Sequence, residues 1–380
     1  MSHPVRRRSS WRNSSLVLSA SLGLSLGLSL VGCDEKKAPP PPSTPPVVEQ
    51  KPATPPPTVI DPARLAIFGQ PLPASYDSKD NPITEEKVAL GRMLYFEKRL
   101  SKNHDVSCNT CHDLAAYGID GKTVSVGHKK QVGKRNSPTV YNAAGHFVQF
   151  WDGREPTIES QAGGPMINPV EMGQPDHKKV EATVASIPQY VDLFKKAFPA
   201  DKAPVTIKNI TAAIGAYERK LVTPGRFDKF LGGDKTALTD AEKAGLNKFM
   251  EVGCTTCHMG NLLGGTLYQK AGLIKPWPNR ADQGRFDVTK NEADKMMFKV
   301  PSLRNIAKTA PYFHDASSAA LEDAVRVMAS YQNGKELADD EVASIVAFMN
   351  ALTGDLPAAD FIKEPTLPPS SKKTPAPDPT

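Results

Sequence analysis

The sequence predicts an all-α fold of two helical domains. Three observations carry this. Helical apolar periodicity recurs through the middle of the chain, no stretch alternates apolar and polar residues as a half-buried strand would, and a Cys-x-x-Cys-His pentapeptide occurs twice. The first cysteines of the two copies, Cys108 and Cys254, are far enough apart for each to lie in its own domain. The chain has 380 residues and 35 prolines, of which 11 fall between Pro39 and Pro62 and six between Pro365 and Pro379. Both ends therefore lack residues that could bury surface, and Ala63 to Glu364 remains to fold.

Before that region, Arg6, Arg7, Arg8 and Arg12 precede a short Leu-rich run from Ser14 to Val31, the layout of an export signal. A retained membrane anchor is the alternative, but the run barely reaches the ~20 residues a span needs. Leu30-Val-Gly-Cys33 looks like a lipobox, which makes residues 1–32 a lipoprotein signal peptide and Cys33 the lipidated residue. A lipid there would fix the protein to a membrane facing the periplasm, and Asp34 favours the inner one. Residues 33–62 then form a proline-rich tether, and residues 365–380 a disordered proline-rich tail. The net charge of +6 falls to about +2 once the four arginines are removed, and no concentrated basic face remains, so nucleic acid is not an expected partner.

The helices follow from local signals. Glu85 and Glu86 after Thr84 suit the positive end of a helix. Helical segments are expected at about Lys178–Phe198 and Thr206–Leu221, and Thr223-Pro-Gly225 is the expected boundary between a first domain, residues 63–224, and a second, residues 225–364. Thr239-Asp-Ala-Glu242 is a capping box, and Leu246, Phe249 and Met250 then run into Cys254. Further helices are expected over Leu321–Tyr331 and Asp339–Leu352, with Gly354 as terminator.

Of five cysteines, Cys33 stands alone and the others form Cys108-Asn-Thr-Cys111-His112 and Cys254-Thr-Thr-Cys257-His258. This is the signature of covalent c-type haem attachment: two thiols a helical turn apart meet two vinyl groups, and the next residue brings an imidazole to the iron. A shared zinc site or two redox disulfides would use the cysteines but leave the histidine in both copies unexplained. The fold class is thus two cytochrome c-like domains, each with one covalently bound haem. The residue on the far face of each iron separates electron transfer from chemistry. Met328, on a predicted helix after His258, is the candidate for the second haem, with Met296 and Met297 as rivals. For the first, His128 in the loop Val126-Gly-His-Lys129 is the candidate, and a loop can release its ligand.

From about Thr84 to Gly354 the chain resembles the bacterial di-haem cytochrome c peroxidases, a group that includes the enzyme maturing the tryptophylquinone of methylamine dehydrogenase. The resemblance rests on Ser107-Cys-Asn-Thr-Cys-His112, Val126-Gly-His128, Phe150-Trp-Asp-Gly-Arg154, Asn168-Pro-Val-Glu-Met172, Val300-Pro-Ser-Leu-Arg-Asn305 and Ala310-Pro-Tyr-Phe-His314. It implies a peroxidatic first haem held by His112 and His128, an electron-accepting second haem held by His258 and Met328, and Trp151 between them. It further implies Glu171 as the acid/base carboxylate with Gln161 as its companion, and an inter-haem calcium ion on Asn136 and the carbonyls of Thr309 and Pro311. The activity implied is reduction of hydrogen peroxide with electrons from a periplasmic cytochrome c or cupredoxin, in a protein that is commonly a homodimer. Ala316 stands where the family commonly has Gly. Tyr331 lies one turn beyond Met328, and Tyr is the corresponding ligand in the quinone-maturing relative. A non-enzymatic di-haem electron carrier and a protein-modifying oxidase are the rival readings.

Overall fold

The computed structural model describes residues 58–380. The expected signal peptide, Cys33 and almost all of the tether lie outside the described residues. Among the described residues, no helix is long and apolar enough to cross a membrane.

The fold is helical, with two hydrophobic cores built on the same plan. In the first half, Thr84 caps the helix Glu85–Phe96 by accepting from the Lys87 N–H at 3.2 Å. This helix leads into Cys108 and packs on Ile207–Glu218. In the second, the Thr239–Glu242 capping box starts Asp240–Val252, which leads into Cys254 and packs on Asp339–Ala351. Each pair crosses at a glycine. A Cβ on Gly91 would lie 1.8 Å from the Ala213 carbonyl oxygen, and one on Gly245 would lie 1.9 Å from that of Ser344. Any larger residue would push the helices apart and open the core around them.

Differences from the sequence expectation have local causes. The segment expected around Lys178–Phe198 is two helices, His177–Ala185 and Pro188–Ala197, because Pro188 has no N–H to continue a helix and instead opens the second at its first turn. Two three-residue strands, Tyr268–Lys270 and Met297–Lys299, pair antiparallel with Tyr268 opposite Lys299. They are too short to show an alternating pattern. The helix Ile158–Ile167 has its own Thr157–Ser160 capping box, a signal the sequence reading passed over.

The expected domain limits need correcting at both ends. Ile60 and Phe68 belong to the second core, together with Phe227, Phe249 and Phe348, although they precede the whole first half. Conversely Leu356, Phe361 and Ile362 pack on the first core. Residues 365–380 were expected to be a disordered tail, yet they lie along the first half. The Pro368 carbonyl accepts from Arg99, Ser371 Oγ donates to the Ser186 carbonyl at 2.6 Å, and the Asp378 N–H donates to the Lys102 carbonyl at 3.0 Å. An extended proline-rich segment makes no hydrogen bonds within itself, and here its polar groups bond to the first half both as acceptor, at Pro368, and as donors, at Ser371 and Asp378.

The two halves meet in a repeat. Asn142 and Asn305 both take left-handed backbone conformations before a 3-10 turn, and Phe150 and Phe313 do so before Trp151 and His314. The bridges Gln149–Glu155 and Tyr312–Ser318 follow at the same offset. Contacts across the seam are reciprocal: the Asn136 N–H donates to the His314 carbonyl at 2.9 Å, and the Lys299 N–H donates to that of Trp151 at 2.8 Å. At the centre, Thr223 Oγ1 accepts from both Asn142 and Asn305 at 2.8 Å. At the expected boundary segment Thr223 and Gly225 are thus buried and Pro224 is exposed.

Candidate active site

The first motif is a single helical turn, Cys108–Cys111, with Ser107 as N-cap and Thr110 accepting the Ser107 N–H at 2.9 Å. One turn puts both thiols on one side, and none of Cys108, Cys111, Cys254 and Cys257 is in a disulfide. His112 follows immediately, its Nδ1 3.3 Å from Ser137 Oγ. In the second motif His258 Nδ1 lies 2.8 Å from the Leu263 carbonyl, so Nδ1 carries the proton and Nε2 keeps its lone pair. Burial holds the pKa of both imidazoles below the usual histidine value, so both are neutral, the form that binds a metal. Free paired thiols beside a neutral imidazole fit a haem at each motif.

His128 is buried, and its Nδ1 has no hydrogen-bond partner among the described residues. Its loop is pinned to the Glu171 turn at two points: the His128 N–H donates to the Glu171 carbonyl at 2.8 Å, and Gln131 Nε2 donates to the Pro169 carbonyl at 3.0 Å. Two glycines permit this fit. A Cβ on Gly127 would lie 2.3 Å from the Val170 carbonyl oxygen, and one on Gly173 would lie 2.6 Å from the His128 ring. Lys129 and Lys130, next in the loop, hold left-handed conformations at φ 57° and 60°, a strain of about 1–3 kcal/mol each.

Glu171 sits in a tight turn in which its own N–H and that of Gly173 donate to the Asn168 carbonyl. Asn168 Nδ2 also donates to Glu171 Oε1 at 3.0 Å. Burial raises the carboxyl above the usual range, and the nearby Arg154 charge and the Asn168 hydrogen bond partly oppose it. The Glu171 charge in turn helps to raise the Cys111 thiol, which places this carboxyl on the side of the first motif. Gln161 is half-buried on the helix Ile158–Ile167, and its side chain makes no hydrogen bond among the described residues.

In the second half Met328 lies on the helix Leu321–Asn333, within an apolar cluster of Trp277, Met296 and Phe298. Tyr331 joins the same cluster. Trp151 occupies the seam, its indole N–H donating to the Asn136 carbonyl at 2.9 Å and its ring edge-on to His314 with centroids 6.2 Å apart. Asn136 is buried, and its Nδ2 is used by the Lys122 carbonyl at 2.8 Å, leaving Oδ1. Thr309 and Pro311 lie on the segment leading to His314, the residue Asn136 binds.

Sequence reasoning assigned no role to Asn168, nor to the Arg135 bridge that joins Asp152 and Asp282 at 2.6 Å each. It also passed over Lys299 and His146. These residues carry no spacing signal, and only the folded chain brings them together.

Comparison with known proteins agrees with this geometry. The family described as di-haem cytochrome c peroxidase matches residues 85–236. A cytochrome c551 peroxidase of Nitrosomonas europaea is 50% identical over 300 residues, covering 78% of this chain and 88% of the relative. One of Pseudomonas aeruginosa is 46% identical over 315 residues, covering 81% and 90%. Among solved structures, a MauG-like protein associated with microbial copper homeostasis superposes with a TM-score of 0.69 at 30% identity, covering 78% of this chain and 98% of that one. With half of its aligned residues shared with a named peroxidase over most of both chains, this chain belongs to the di-haem cytochrome c peroxidase family.

Proposed function

We propose that the chain reduces hydrogen peroxide to water with electrons from a small cytochrome c or cupredoxin, using a covalently attached haem c at each motif. The observation that carries this is the double role of Glu171, whose carboxyl is raised by burial while its carbonyl holds the His128 loop. When bound, the two haems supply electron exchange and, on one open face, a site for the oxidant. The chain's residues do the rest.

Cys108, Cys111 and His112 would hold the first group, and Cys254, Cys257 and His258 the second. Met328, from its apolar cluster, would be a further ligand of the second and would keep peroxide from it. His128 would be a further ligand of the first, carried on a strained loop that can move. Glu171 then takes the peroxide proton at Oε2, the oxygen Asn168 leaves free, and returns it to the departing oxygen. Gln161 orients the substrate from its helix. Trp151, hydrogen-bonded across the seam, stands between the two motifs. Asn136 Oδ1 with the Thr309 and Pro311 carbonyls is an oxygen set of the kind calcium takes, and it fastens the seam. Residues 1–32 direct export, and a lipid on Cys33 holds the enzyme on a periplasmic membrane face.

The test is peroxide-dependent oxidation of a reduced cytochrome c. Glu171→Gln should lower turnover ~10²–10⁴-fold, the range a positioned acid/base contributes, with haem absorbance unchanged. Full activity in that variant would remove the acid/base role.

A further inference from the structure

The seam holds a second set of polar groups that the peroxide chemistry does not use. Lys299 is buried, and its Nζ lies 2.9 Å from His146 Nδ1. No carboxylate binds it, because Asp152, the nearest acid whose charge it feels, is taken by Arg135 at 2.6 Å and Arg154 at 3.0 Å. His146 Nε2 and the Tyr76 hydroxyl are also buried, without a hydrogen-bond partner among the described residues. Tyr76 packs against Gly145 and His146 against Gly265, so the Tyr76 ring lies beside the segment that carries His146. An ammonium donating to His146 Nδ1 leaves the imidazole proton on Nε2. The site then offers two ammonium hydrogens, an imidazole N–H and a phenol O–H as donors. Buried donors without acceptors cost several kcal/mol together, and the ligand that removes this cost is an anion with more than one acceptor oxygen.

The loop that forms this place also holds the second motif. Leu263 accepts from His258, a Cβ on Gly264 would lie 3.3 Å from His258 Nδ1, and Gly265 touches His146. The seam repeat gives independent support. At its constant offset Lys299 matches Asn136 and His146 matches Thr309. Where one half offers oxygen atoms suited to a bound cation, the other half carries a cation of its own.

We propose that Tyr76, His146 and Lys299 form a carboxylate cradle that receives a propionate of the haem held by Cys254, Cys257 and His258. The cradle fixes that haem against the seam and raises its reduction potential, since a neighbouring positive charge favours the reduced iron. Burial, only partly opposed by the Asp152 charge, pulls the Lys299 ammonium down to about 7, and a carboxylate partner restores its charge.

This inference rests on the proposed haem attachment, which the absorbance spectrum and haem content of the purified holoprotein check separately. The test compares Tyr76→Phe, Lys299→Met and Lys299→Arg with wild type, by optical redox titration of both haems and by the propionate bending bands in resonance Raman spectra. In Lys299→Met the reduced-to-oxidised ratio of the second haem at fixed potential should fall up to about tenfold, equivalent to about 59 mV for one electron. Lys299→Arg should recover most of this shift. Tyr76→Phe keeps the ring and should move the propionate bands of the second haem alone. Haem present with both potentials and all propionate bands unchanged would overturn the cradle, and changes confined to the first haem would overturn its assignment to the second. Should Lys299→Met fail to fold, Tyr76→Phe decides by the same bands.

Discussion

The amide of His128 donates to the carbonyl of Glu171 at 2.8 Å, so one residue both carries the raised carboxyl and holds the loop that carries the imidazole. The His128 loop and the Glu171 turn are therefore coupled by this bond and by the Gln131 side-chain amide, which donates to the Pro169 carbonyl at 3.0 Å.

Gly173 tests the first side of that coupling. Its φ is +72°, and a Cβ would lie 2.6 Å from the His128 ring. Gly173→Ala should displace the imidazole. The oxidised protein should then show a high-spin first haem by absorbance or electron paramagnetic resonance, and should react with peroxide before any reduction. An unchanged low-spin spectrum would mean that His128 does not cap that haem.

The second side is read by pH. Burial raises the Glu171 carboxyl, and Arg154 and Asn168 oppose the rise. A base works only when ionised, so activity is lost as pH falls through its pKa. Removing either opposing group raises that pKa further. Asn168→Ala and Arg154→Gln should therefore move the acid limb of the kcat/KM profile to higher pH, while the alkaline limb stays.

Glu218 predicts a stability effect away from the peroxide site. Burial, with help from Glu159 and against Arg219, pushes its carboxyl up to about 8 from 4.5. Between those values the folded chain keeps a proton that the unfolded chain releases, so stability falls as pH rises through this window, at up to about 1.4 kcal/mol per pH unit. Glu218→Gln should flatten that dependence in denaturation curves measured at pH 5, 6.5 and 8.

The Arg304–Asp228 pair predicts a larger loss. Both residues are buried, the guanidinium binds the carboxylate at 2.8 and 2.9 Å, and Asp228 also accepts from the Leu72 and Gly225 N–H groups at 2.8 Å each. Asp228→Asn leaves a buried arginine unpaired, at a cost of about 3–5 kcal/mol. Chemical denaturation should show this as a lower midpoint.

Much of this was legible beforehand because the signals were local. The capping residues Thr84 and Thr239 start the helices they were expected to start, and the two pentapeptides lie where those helices lead. The resemblance names Glu171 and His128 but not their contact, since the hydrogen bond joins loops 43 residues apart. The seam repeat leaves little trace in the sequence because it consists of short turns: Asn142 matches Asn305 and Phe150 matches Phe313 in residue type and in backbone angle, but these are isolated positions among residues that differ. Lys299 gave no warning at all, because a lysine beside Val300 and Pro301 looks like any surface charge.

The crossing of the two ends has a bearing on how the protein is made. Synthesis that proceeds from the N-terminus delivers Phe68 long before the second core it fills, and Phe361 long after the first core it covers. Each half must wait for its missing wall, so the halves close as one event. A chain severed between Thr223 and Gly225 should yield two fragments that bind one another and aggregate when kept apart.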